Sequence, residues 1–144
     1  MNNLQSISLF FPEIILTILI IAVIIYDLLI DKSKSGNTGW LLSFGLLVVS
    51  FSIWKQGNIT TSLFTDAVVL DPFSSFFKQI IILATILVSI VSLYSDELTK
   101  YRKGEFFTLL GIITFGLFLM VSAVDLIILY ISIEIVSIMS FVLA

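Results

Sequence analysis

Long apolar runs separated by short polar ones organise this chain from end to end. The first run covers residues 10–30 and is broken only by Pro12, Glu13, Thr17 and Asp27. Pro12 suits the first helical position, because the N–H it lacks has no partner there. Glu13 in the first turn sets its charge against the positive end of the helix dipole. A second apolar run, 40–55, has a tryptophan near each end (Trp40 and Trp54), as helices anchored at a lipid–water interface do. Asp71-Pro72 reads as an N-cap followed by the first residue of a third helix, over 73–94. Lys78, one turn inside it, is expected to snorkel outward along its apolar stem. A fourth helix is expected over 105–123, where Thr108, Gly111, Thr114, Gly116 and Ser122 give small surfaces for close packing. A tight turn at Asp125 leads to a fifth, over 126–144. Between the second and third helices, 58–70 is rich in β-branched residues and too short to span, which predicts a short outer-side hairpin.

Each helical run is close to the roughly 20 residues needed to cross a hydrocarbon core. The pattern therefore predicts an all-α fold, a polytopic transmembrane bundle of about five helices in a single membrane domain. A cleavable leader would need a basic n-region and small residues at its cleavage site. No Lys or Arg precedes Lys32, and the sequence 27–31 is a poor cleavage site, so a retained first helix is expected.

Composition sharpens this reading. Of the 144 residues, 59% are hydrophobic and only 12% charged, about half the share in an ordinary soluble domain. The mean hydropathy is +1.20. The chain contains no cysteine and no histidine. It therefore offers no thiolate for zinc or an iron–sulfur cluster and no imidazole for haem or copper. Any electron transfer must then be carried out by other chains. The net charge of −3 is too small and too scattered to suggest nucleic acid. Five of the seven basic residues (Lys32, Lys34, Lys100, Arg102 and Lys103) fall in alternate loops, which the positive-inside rule assigns to the cytoplasm. The N-terminus, the 55–71 segment and the Asp125 turn then face outward. The basic residues of 100–103 are read as topology determinants, not ligands.

One acidic residue stands apart. Glu13, Asp27, Asp31, Asp66, Asp71, Asp96, Glu97, Glu105 and Asp125 lie at helix ends or in loops, where water is expected to reach them. Glu134 lies near the middle of the fifth helix, where an acidic group costs about 2.5–3.5 kcal/mol to insert. Tyr130 and Ser137, four residues before and three after, share its helix face and form a narrow polar stripe. Desolvation favours the neutral form of a carboxyl and a nearby lysine favours the charged one. A mid-membrane glutamate can thus exchange protons as a lysine partner moves. A structural acid, hydrogen-bonded to a neighbouring helix, is the bland alternative. Lys55 and Lys78 both belong near the outer surface, so the partner of Glu134 is expected outside this sequence, in a longer protein of which this is the N-terminal portion.

Four stretches stand out: Phe11-Pro-Glu-Ile-Ile15 with Tyr26-Asp-Leu28; Phe64-Thr-Asp66 with Asp71-Pro-Phe-Ser-Ser-Phe-Phe-Lys78; Glu105-Phe-Phe-Thr-Leu-Leu110; and Met120-Val-Ser-Ala-Val-Asp-Leu126 leading to Tyr130-Ile-Ser-Ile-Glu134-Ile-Val-Ser137. Together they resemble the antiporter-like N subunit of the respiratory NADH:quinone oxidoreductase, complex I. The resemblance implies an incomplete part of an antiporter-like fold of about fourteen helices built on two inverted five-helix repeats. It implies that Glu134 transfers protons in a half-channel and pairs with a lysine of a later helix, with Tyr130 and Ser137 as polar neighbours. It also implies a non-redox subunit of a proton-translocating enzyme. NADH, FMN, iron–sulfur clusters and quinone would belong to other subunits, with no cofactor in this chain. The implied partners are the other membrane subunits and lipid, in the bacterial cytoplasmic membrane rather than the mitochondrial inner one. Ile138-Met-Ser-Phe141 departs from the family pattern, in which a proline and a tyrosine are common. An Mrp-type cation/proton antiporter subunit is the close alternative. A small homo-oligomeric proton-coupled transporter with Glu134 as its own site is the more distant one.

Overall fold

The computed structural model describes residues 7–29, 37–57, 59–95 and 103–144. In chain order these form helices α1 (Phe11–Leu29) and α2 (Asn37–Gln56), strands β1 (Thr61–Leu63) and β2 (Val68–Leu70), and helices α3 (Pro72–Leu93), α4 (Lys103–Ser122) and α5 (Leu126–Leu143). The five helices have 18 to 22 residues and are each long and apolar enough to cross a membrane. The protein is a polytopic transmembrane helical bundle. α2 begins at Asn37, three residues ahead of the expected Trp40, because Asn37-Thr-Gly39 continues the helical backbone.

α4 is the central element and packs against α1, α2, α3 and α5. The core lies among the first four helices, where Leu16 and Val23 of α1 meet Leu42, Leu46 and Val49 of α2, Ile82 of α3, and Phe107 and Phe118 of α4. Close approach rests on small residues. A Cβ at Gly111 would stand 3.2 Å from Ile20 Cγ1, and one at Gly116 would stand 2.9 Å from Val136 Cγ2. Outward, large apolar side chains such as Ile18, Phe44, Leu83 and Phe141 are exposed. A surface of that kind is matched by lipid.

The hairpin closes one end of the bundle. β1 and β2 pair antiparallel, with Ser62 opposite Val69, and Phe64, Thr65 and Asp66 of the turn all have positive φ. Val68 also bridges to Ala123, and Ala67 O accepts the N–H groups of Val124 and Asp125. The hairpin thus ties the α4–α5 turn to the start of α3. Two caps fix the helices that leave this end. Asp71 Oδ1 accepts from Ser74 N at 2.6 Å while Ser74 Oγ accepts from Asp71 N, a reciprocal capping box. Asp125 Oδ1 accepts from Ile127 N at 3.0 Å.

Candidate functional site

α5 is held on one side only. Its packing is mainly against α4, with Ile128 at its start against the hairpin, and 6% of its span is buried, compared with 22–39% for the other four helices. The residues that face α4 are Ser132, Ile135 and Val136: Ser132 is fully buried, and the other two crowd Gly116. Helical periodicity then turns Tyr130, Glu134 and Ser137 away from the bundle, and all three are exposed. Ser132, the buried hydroxyl, donates to Ile128 O at 2.6 Å and is satisfied within its own helix. The Glu134 carboxylate makes no ion pair or hydrogen bond among the described residues. The structure therefore gathers the three residues on one face and points that face out of the bundle.

A second ionisable locus lies inside the bundle, at the end closed by the hairpin. Lys78 Nζ donates to Glu13 Oε1 at 2.5 Å, and the two side chains are 2% and 3% exposed. The ammonium also sits 5.8 Å from the centroid of the Phe118 ring on α4. This corrects two expectations. Lys78 does not snorkel to water, because the carboxylate of α1 lies within reach of its stem and the α3 face that carries it is turned into the bundle. Glu13 is not exposed at the surface either; it is buried in the bundle facing α3, and its charge is met by the lysine as well as by the helix end. Its Oε2 atom is buried without a hydrogen-bond partner.

Lys78 belongs to a polar column. The residues that α3 buries are Ser74, Lys78, Ile82, Thr85, Ser89 and Ser92, all but one of them polar. Thr85 Oγ1 lies 3.0 Å from Thr114 Oγ1 of α4, and each threonine also donates to the carbonyl four residues back. At the other end of α3, Lys103 Nζ donates to Leu93 O at 3.0 Å, which caps a free carbonyl of that helix terminus. The sequence reading missed this column, yet spacings of four, four, three, four and three along α3 carry its signal. An apolar helix whose polar residues share one face turns that face inward when its surroundings are lipid.

Among the remaining expected positions, Asp66, Glu105 and Asp125 are exposed, and Asp27 is half-buried beside Gly104. Asp31, Lys32, Lys34, Asp96, Glu97, Lys100 and Arg102 lie outside the described residues, and so do most of the basic positions on which orientation rests. No group of three or more Asp or Glu side chains that could hold a metal ion occurs among the described residues.

Nearly the whole chain is similar to known oxidoreductase subunits. It is 31% identical over 139 residues to a NADH-quinone oxidoreductase subunit N of Trichlorobacter lovleyi, covering 96% of this chain and 28% of that protein. To the subunit N of an Anaeromyxobacter species it is 34% identical over 147 residues, covering 99% of this chain and 28% of that one. An F(420)H(2) dehydrogenase subunit N of Methanosarcina mazei is 28% identical over 149 residues, which is 98% of this chain and 30% of that protein. No protein-family model matches. The chain spans under a third of the length of these relatives. The resemblance read from the four sequence stretches is borne out.

Proposed function

We propose that this chain, a relative of subunit N of the NADH-quinone oxidoreductases, supplies part of a proton-translocation half-channel in a membrane arm, with Glu134 as its mid-membrane carboxylate. The observation that carries the reading is the exposed face of α5. A carboxylate placed eight residues into an 18-residue apolar helix, on the side away from its bundle, faces lipid unless another element covers it. Lipid is the costlier surrounding. A cationic helix contributed from elsewhere would neutralise Glu134, and movement of that cation would change the proton affinity of the carboxylate. Tyr130 and Ser137, on the same face, supply hydroxyls that can relay a proton along α5.

This chain acts without a redox group. Its relatives carry the names of both NADH and F(420)H(2) enzymes, which supports a shared part that does not meet the electron donor. NADH, flavin, iron–sulfur clusters and quinone are then held by other subunits, and the partners of this chain are neighbouring membrane subunits and lipid. The setting is the bacterial cytoplasmic membrane with the hairpin end outward, supported by the basic residues of the alternate loops.

The test is Glu134→Gln in the assembled protein. Proton pumping in reconstituted vesicles is expected to fall by about tenfold or more, the scale of a lost proton-transfer group, with assembly intact. Unchanged pumping would sink the proposal.

A further inference from the structure

We propose that Glu13 and Lys78 form a second, hydrated proton-exchange site at the hairpin end of the bundle, built entirely from this chain and separate from Glu134. The geometry comes first. The pair joins helices 65 residues apart in sequence, with Phe118 of α4 closing one side. One carboxylate oxygen, Glu13 Oε1, is bound by the ammonium, and the other, Oε2, is buried and unpartnered. A buried anionic oxygen left unpaired is among the most unfavourable groups a protein can hold. An ammonium has three donors, and the contact to Oε1 uses one of them.

A second orphan lies close by along α1. Gln56, at the end of α2, donates Nε2 to Leu9 O at 2.7 Å, one turn before Glu13, while its own Oε1 is buried without a partner. Two unpaired acceptors and spare ammonium donors match the chemistry of water, which donates two hydrogen bonds and accepts others. An open groove ends nearby. Gln56 lines this groove of about 350 Å³ between the ends of α1 and α2, with Ser8, Ser52 and Lys55 on its walls. The groove reaches Gln56, whose Nε2 binds Leu9 O one helical turn before Glu13.

The exchange step conserves atoms and charge. A water hydrogen-bonded to Oε2 gives it a proton, so an O–H bond forms on Glu13 as one breaks on the water. A hydronium at the groove mouth returns a proton to the first water through the waters between, becoming water itself, and Lys78 remains an ammonium throughout. The reverse step releases the proton to the same side. The proton-exchange role rests on the proposed translocation function; the bound water does not.

The decisive variant removes both charges at once. Singly, Glu13→Gln or Lys78→Met leaves a buried charge unmatched and confounds folding with transport, whereas the double variant Glu13→Gln/Lys78→Met leaves none. In the full-length, assembled protein the double variant is expected to assemble at near-native yield and to pump protons about tenfold more slowly or worse. Native pumping by the assembled double variant would show a purely structural pair and overturn the proposal. Should the double variant fail to assemble, a density map of the native assembly that resolves waters decides. Water within hydrogen-bond distance of Glu13 Oε2 is expected, and a dry apolar contact there overturns the site. Loss of pumping in the double variant with none in Glu134→Gln would remove the role proposed for Glu134 and leave this one standing.

Discussion

Two glutamates of this protein sit in apolar helices and meet opposite circumstances. Glu13, near the start of α1, is buried and answered by Lys78 of α3 within the same bundle. Glu134, in the middle of α5, is exposed on a face that the described bundle leaves uncovered. The difference does not lie in the two side chains. α1 packs against both α2 and α4, and its polar side is enclosed, whereas α5 leans mainly on α4, with Ile128 at its start against the hairpin. A carboxylate is thus completed internally where helices surround it and is presented outward where one helix is left at the edge. Folding demands the first arrangement, because an unanswered charge would destabilise the bundle. The second leaves a charge for something outside the bundle to answer, which is what a transport site with a movable partner requires.

The sharpest way to break this comparison is to make Glu13 resemble Glu134 by removing its cation. Lys78→Met should destabilise the purified protein by about 3–5 kcal/mol, the usual result of stranding one member of a buried pair. A large drop in thermal stability in detergent would register it, and an unchanged melting temperature would mean that the pair is not closed in the native protein. Next in size is the attachment of α5. Gly116→Val would bring a branched side chain against Val136, already 2.9 Å from an ideal Cβ, and should cost about 1–3 kcal/mol. Cysteine cross-linking between α4 and α5 should fall in parallel, while the α1–α3 contact holds.

Asp71→Ala removes one half of the capping box that starts α3, the helix carrying Lys78, at about 1 kcal/mol. Thermal unfolding should shift by a few degrees, with the Glu13–Lys78 pair intact. Smaller still is Thr114→Val, which deletes the hydroxyl pair with Thr85. Hydrogen bonds between membrane helices average about 0.6 kcal/mol, so only a modest shift is expected. A loss as large as that of Lys78→Met would mean that the polar column of α3 acts as one cooperative network. At the far end of the scale, Glu134→Gln should leave the packing of α1–α4 and its melting unchanged, since its carboxylate is exposed and makes no ion pair or hydrogen bond among the described residues.

Much of the fold was legible in the sequence because the bilayer imposes a strong length rule. Runs near 20 residues, broken by Asp71-Pro72 and Asp125, mark the helices and their caps with little help from tertiary context. Glu134, Tyr130 and Ser137 could be placed on one face by period alone, and the structure does place them together. What period could not give was the direction of that face. Tyr130, Glu134 and Ser137 point away from α4 because Gly116 admits Ile135 and Val136 instead, a fact of close packing that depends on another helix. Lys78 was misread for a related reason. A lysine one turn inside a membrane helix has two low-energy choices, water at the interface or a buried carboxylate, and its own helix does not choose between them. The choice lay with Glu13, 65 residues away in sequence and brought alongside only when α1 and α3 both pack on α2 and α4. The sequence by itself determined the helices, the caps at Asp71 and Asp125, and the faces on which polar groups lie, since these follow from solvent, spacing and local hydrogen bonding. Only the tertiary structure decided which face is enclosed and which charge is answered, because burial and pairing belong to the neighbours a residue acquires.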